Sequence, residues 1–231
     1  MLKLNSELRA ISRTTLSGNW MMAALATLVY LLIAGGVSSI PVAGSVLAII
    51  ITYPLAYGFA ILFLDLFREG KPIDIGKLFD GFKDFGRVWG TLILVAIYTI
   101  LWTCLLIIPG IVKSYSYALT PFILKDEPEL KYNAAIEKSM RMMDGYKMKL
   151  FLLDLSFIGW MILSVLTLGI GLLFLQPYMN TARAAFYEDL KAELSDRYVS
   201  EEENNNRFIN HHSICGQAEE DNPLSVRCFL W

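Results

Sequence analysis

Asp65, Asp154 and Arg183 sit close to the ends of long apolar runs. A charge at the edge of hydrocarbon is costly, so such a residue marks either a function or a structural pairing. Each lies within a turn or two of the end of its run. The chemistry on offer is therefore an ion pair between neighbouring segments, or a shallow proton or substrate relay. Arg183 and Asp154 are expected to meet as a clamp. Other reactive side chains are few. His211, His212, Cys215 and Cys228 fall in a polar tail, at spacings that match no zinc pattern. No His-Glu-x-x-His, Gly-x-Ser-x-Gly, Walker or Rossmann pattern occurs. Asp144-Gly145 matches a fragment of the phospholipid-synthesising phosphotransferase motif, but the further aspartates of that motif are missing. The expectation is a non-enzymatic chain with no metal site and no cofactor.

The elements that would hold these residues follow from composition. Of 231 residues, 55% are apolar and 18% charged, and the apolar ones are blocked into long runs. A soluble domain is closer to about 25% charged, so the pattern reads as a multi-pass membrane protein. Twenty Lys and Arg balance 22 Asp and Glu, which leaves no positive field for nucleic acid. Three Cys, one of them (Cys104) inside an apolar run, argue against a disulfide scaffold.

Six spans are expected, near residues 20–38, 43–66, 88–108, 111–124, 150–168 and 172–187. The fourth and sixth are short, each following a tight turn at Pro109-Gly110 or Gly169-Ile170-Gly171. A re-entrant fourth segment is the rival reading. Eighteen of the 20 basic residues fall before residue 20, in 67–87, in 125–149 or after 188; Lys113 and Arg183 are the others. The positive-inside rule then places both termini and both long loops in the cytoplasm, with the short uncharged turns outside. Lys113, with Tyr115 and Tyr117, is expected at the outer end of the fourth span. No cleavable signal peptide is expected; the first run would act as an anchor.

The three hairpins share a preamble. An amphipathic stretch ends near a glycine (Gly18, Gly86, Gly145), a span begins, and the second span carries a proline (Pro54, Pro121, Pro177). The glycine-to-proline separations are 36, 35 and 32 residues, which suggests a threefold repeat. The glycines suit the position after a helix end and the prolines are expected to kink their helices. Asn5 or Ser6 is expected to cap the first preamble. Phe79, Phe82 and Phe85 form the strongest apolar stripe and are expected to anchor the middle preamble in the membrane interface. Gly86 and Gly90 form a small-xxx-small pair. The fold class is thus an all-α membrane protein of about six transmembrane helices in three hairpins, each preceded by an amphipathic interfacial helix. Residues 1–194 would be the membrane domain and 195–231 a polar, disordered cytoplasmic tail with an apolar end, Leu224–Trp231.

Several strings are shared with a known family. They are Asn5-Ser6-Glu7-Leu8-Arg9 with Gly18-Asn19-Trp20, Ile107-Ile108-Pro109-Gly110-Ile111 with Pro121, and Leu153-Asp154-Leu155-Ser156-Phe157-Ile158-Gly159-Trp160. Leu166-Thr167-Leu168-Gly169-Ile170-Gly171, Pro177-Tyr178 and Ala185-Phe186-Tyr187-Glu188 complete them. Over residues 1–194 the chain resembles the bacterial multi-pass family catalogued as domain of unknown function 975. The resemblance implies an integral protein of the bacterial cytoplasmic membrane and no particular activity. The leading expectation is a module that acts on membrane lipid, or on another membrane protein, from the cytoplasmic side. A small transporter or export factor with a cavity between kinked hairpins is the alternative.

Overall fold

The computed structural model describes residues 2–38, 43–70, 72–167 and 169–221, and all regular structure among them is helical. Ten α-helices run in chain order: α1 Asn5–Leu16, α2 Trp20–Ser38, α3 Ala43–Glu69, α4 Phe85–Leu105, α5 Ile107–Tyr117, α6 Thr120–Asp126, α7 Asn133–Met142, α8 Lys147–Leu155, α9 Ile158–Leu166 and α10 Leu172–Asp221. A 3₁₀ segment, Ile75–Phe82, lies between α3 and α4. The chain divides into two units, residues 2–189 and the part from residue 190 onward. The second unit is helical to Asp221, with Tyr198 and Val199 exposed and an Arg207–Glu203 ion pair at 3.8 Å. The composition boundary at residue 194 falls inside α10.

Five helical stretches are long and apolar enough to cross a membrane: Trp20–Val37, Leu47–Glu69, Phe85–Leu105, Ile107–Asp126 and Lys147–Leu166. They coincide with the first five expected spans to within a few residues. The sixth segment, 172–187, begins α10 but does not join them, because Gln176, Asn180, Thr181 and Arg183 dilute its apolar character. The fourth stretch is two helices, α5 and α6, and the fifth is likewise α8 and α9.

The core is concentrated on one half of α3. Leu55, Tyr57, Phe59, Ile61, Leu62, Phe63, Leu64 and Leu66 are each 5% exposed or less. The 3₁₀ segment packs hardest against this half, through two glycines. A Cβ on Gly58 would stand 2.0 Å from the Leu78 carbonyl oxygen, and one on Gly81 would stand 2.1 Å from that of Pro54. No side chain fits in either place, so backbone lies on backbone. Elsewhere the helices turn apolar faces outward: Met21, Leu25, Leu28 and Leu32 on α2, Leu105 to Ile108 at the α4–α5 turn, and Ile162, Leu163, Val165 and Leu166 on α9.

Several sequence expectations need correction. Gly18 and Gly145 do hold positive φ, at 84° and 79°, but Gly86 lies in the first turn of α4 and makes no such turn. Pro54 and Pro177 sit inside helices, whereas Pro121 opens α6, where its missing N–H costs nothing. The break before it comes at Ala118–Leu119, so Pro121 starts a helix and does not kink one. Neither Asn5 nor Ser6 caps α1; the Leu4 N–H donates to the Glu7 carboxylate at 2.9 Å. Gly90 is occupied within the chain: a Cβ there would stand 2.4 Å from the Tyr132 ring. Tyr132 itself holds φ 48°, and its N–H donates to Thr91 Oγ1 at 2.9 Å. That contact seats the start of α7 beside α4. Farther along, the Ser139 hydroxyl donates to the Ser116 carbonyl of α5 at 2.8 Å.

Candidate functional site

The charges expected near the hydrocarbon fall into two groups. Asp154 ends α8 and Arg183 faces it from α10. The guanidinium meets the carboxylate as a fork, Nε to Oδ1 at 3.2 Å and Nη2 to Oδ2 at 2.8 Å. The expected clamp is present, and interhelical polar pairs of this kind contribute about 0.6–2 kcal/mol. Asp65 joins neither residue. It is 8% exposed and accepts from Lys77 Nζ at 2.7 Å, with Lys125 Nζ at 3.6 Å. The hydrogen bond to Asp65 holds the Lys77 ammonium pKa above its ordinary value. Both groups have ordinary structural partners.

A larger network escaped the sequence reading. Arg68, at the end of α3, donates from Nη1 and Nη2 to the two oxygens of Asp126 at 2.7 and 2.8 Å. Its Nε donates to Glu188 Oε1 at 2.7 Å. The Tyr187 hydroxyl donates to Asp126 at 2.9 Å, and its ring stacks on Phe122 at 5.2 Å. One arginine thus ties the ends of α3 and α6 to the interior of α10. A signal was available: charged residues stand side by side where each second span ends, as Arg68-Glu69, Lys125-Asp126 and the doubly acidic Glu188-Asp189.

The aromatic stripe is resolved in detail. Phe79, Phe82, Phe85 and Trp89 form a row with successive ring centroids 6.3, 6.4 and 6.0 Å apart. The three Phe are 44%, 36% and 37% exposed, while Leu78 on the other side of the 3₁₀ segment is fully buried. The segment therefore spends Leu78 and Gly81 on the core and leaves its rings outside. The charges beside the row are satisfied locally, Lys83 by Asp80 at 2.7 Å and Arg87 by Asp84 at 3.0 Å. The other preambles differ. α1 buries Leu8, Ser12 and Leu16, and α7 buries Ala135, Ile136, Ser139 and Met142.

Lys113, expected at the outer end of the fourth span, is placed here by its contacts. Its ammonium lies 5.2 Å from the Trp102 ring centroid, and it borders a cleft shared with Glu137, Arg141, Asp144 and Lys147 of the basic loop. Cys104 is free and exposed. Among the described residues no group of His, Cys, Asp and Glu could hold a metal. His211, His212 and Cys215 lie outside the residues whose side chains are described, and Cys228 and Leu224–Trp231 lie outside the described residues altogether.

Among the described residues these features define an all-helical protein with five stretches able to cross a membrane. The family model described as "Protein of unknown function (DUF975)" matches residues 1–113 and 104–194, and the chain belongs to that family. No curated protein and no solved structure matches.

Proposed function

We propose that the chain is a six-crossing protein of the bacterial cytoplasmic membrane, non-enzymatic, that engages lipid or another membrane protein from the cytoplasmic side. The observation that carries this reading is the exposed Phe79–Phe82–Phe85–Trp89 row beside charges already paired with one another. An aromatic face of this kind suits the headgroup boundary, where the rings meet apolar chains and the flanking charges meet water. The outward Leu and Ile of α2, α4, α5 and α9 form apolar surface that water would penalise and lipid would not. The transporter alternative needs a continuous polar path. Asn180 and Thr181 instead donate to carbonyls of their own helix, at 2.9 and 2.8 Å, which favours the first reading.

One observation favours a shallower second hairpin. α7 meets α5 at Ser116, ten residues from the turn at Leu106, or about 15 Å of helix against a hydrocarbon core of about 30 Å. Single cysteines in a chain whose own cysteines are replaced by serine separate the two topologies. At Ser45, Ile108 and Gly171 they should label from outside intact cells, and at Asp84 and Glu137 they should not. Labelling at Glu137 would make the fourth segment re-entrant. Silence at Ile108, with Ser45 and Gly171 labelled, would make the α4–α5 hairpin a shallow one.

A further inference from the structure

An apolar groove of about 460 Å³ opens between the end of α1, the start of α2 and the α9–α10 hairpin. Its walls are Trp20, Trp160, Leu163, Phe174 and Tyr178. Ser164 and Thr167 also reach it, but their hydroxyls donate to the carbonyls of Trp160 and Ser164, at 2.8 and 2.9 Å. Both hydroxyls that reach the groove are therefore spent on their own backbone. It runs along α10 from Gly171 to Tyr178, about 10 Å at 1.5 Å per residue. Trp160, Leu163 and Phe174 are each about half exposed, so it is open sideways, between helices, to whatever surrounds them.

Arg13 closes one end. Its Nε donates to the Tyr178 hydroxyl at 3.2 Å, and its guanidinium carbon lies 5.7 Å from the Tyr178 ring centroid. The Tyr178 hydroxyl in turn donates to the Arg9 carbonyl at 3.3 Å. Tyr178 thus holds the guanidinium by one edge and leaves its Nη groups available. Arg68, Arg87 and Arg183 all meet carboxylates. Among the described residues no carboxylate pairs with Arg13, nor with Arg9 one turn earlier, whose buried Nε has no hydrogen-bond partner.

We infer that the groove holds one acyl chain of an anionic phospholipid whose phosphate sits on Arg13. An apolar slot open to the side accepts a chain directly from the bilayer. A guanidinium fork fixed along one edge matches two phosphate oxygens with the other. The absence of an internal counter-charge leaves that position to an external anion. This assignment rests on the lipid-engaging reading above and adds to it a site and a headgroup class.

The test uses the full chain with Trp20 as its lone tryptophan, the others replaced by Phe, reconstituted in phosphatidylcholine vesicles. Doxyl-labelled phosphatidylglycerol and doxyl-labelled phosphatidylcholine are titrated separately. Trp20 should be quenched at an about fivefold lower mole fraction of the anionic lipid, from the attraction of one cation near the surface. Arg13→Gln should erase that preference while quenching persists, and Thr167→Phe, which fills the groove, should weaken quenching by both lipids. Identical curves for the two lipids, or a preference that survives Arg13→Gln, would overturn the assignment. A fluorescent probe at position 82 in the same vesicles serves as reference. Quenching there with none at Trp20 would remove the groove site and leave the lipid-engaging reading standing; no quenching at either would remove both.

Discussion

Gly58→Ala and Gly81→Ala are each expected to unseat the 3₁₀ segment from α3. The added methyl would meet a backbone carbonyl at about 2 Å on either side of the crossing, at Leu78 in one case and Pro54 in the other. A flexible side chain could rotate away; a carbonyl held inside α3 or the 3₁₀ segment cannot. Overpacking a core usually costs about 1–3 kcal/mol, and a backbone obstacle places these two at the upper end. For a chain of this length that corresponds to a melting temperature lower by roughly 6–12 °C. Gly36→Ala and Gly159→Ala, where an added Cβ meets nothing within 4 Å, are the controls and should melt with the parent. Thermal unfolding of detergent-purified protein, followed by fluorescence-detected size exclusion, measures all four. Equal stability across the set would mean that the segment does not rest on α3.

Arg68→Leu should produce the second large loss. It strips Asp126 and Glu188 of a shared cation, and the Asp126 side chain is only 9% exposed. Removing one partner of a buried ion pair costs about 3–5 kcal/mol because the remaining charge stays in the interior. Arg68 is 28% exposed, and solvent screening reduces the expected figure to about 2–3 kcal/mol. Arg68→Lys should fall between the parent and the Leu variant. An ammonium keeps the charge but cannot hold both Asp126 oxygens while also reaching Glu188. The same melting assay ranks the three proteins. A Leu variant as stable as the parent would show that this network does not tie α3, α6 and α10 together.

The sequence disclosed those features that depend on one segment at a time. Hydropathy located five apolar stretches, because twenty apolar residues in a row need no tertiary information to be read. Asp154 and Arg183 could be paired on paper, since both stand at the same ends of segments adjacent in the chain. The outward Phe79, Phe82 and Phe85 were legible as a stripe. What stayed hidden depends on contacts between distant residues. Gly58 and Gly81 look like any membrane glycine until the 3₁₀ segment is laid across α3. Arg68 finds Asp126 and Glu188 across 58 and 120 residues of sequence. Gly86 and Pro121 were misassigned for a different reason: matching the three hairpins by spacing gave all three members the same role, whereas each is set by its own local contacts. Arg13, finally, was legible as a basic residue on an amphipathic helix, but only the fold shows that it stands alone at the mouth of a groove.

A fluorescent probe at position 82, in protein reconstituted into bilayers with lipid-borne quenchers at graded depths, tests most directly whether this chain meets lipid with its aromatic face. The ring row beside self-paired charges requires strong quenching by labels near the headgroups and weak quenching by labels near the bilayer centre. A probe left unquenched at every depth, and reporting a dry protein environment, would make Phe79, Phe82 and Phe85 packing residues and contradict a lipid-engaging role for the middle preamble.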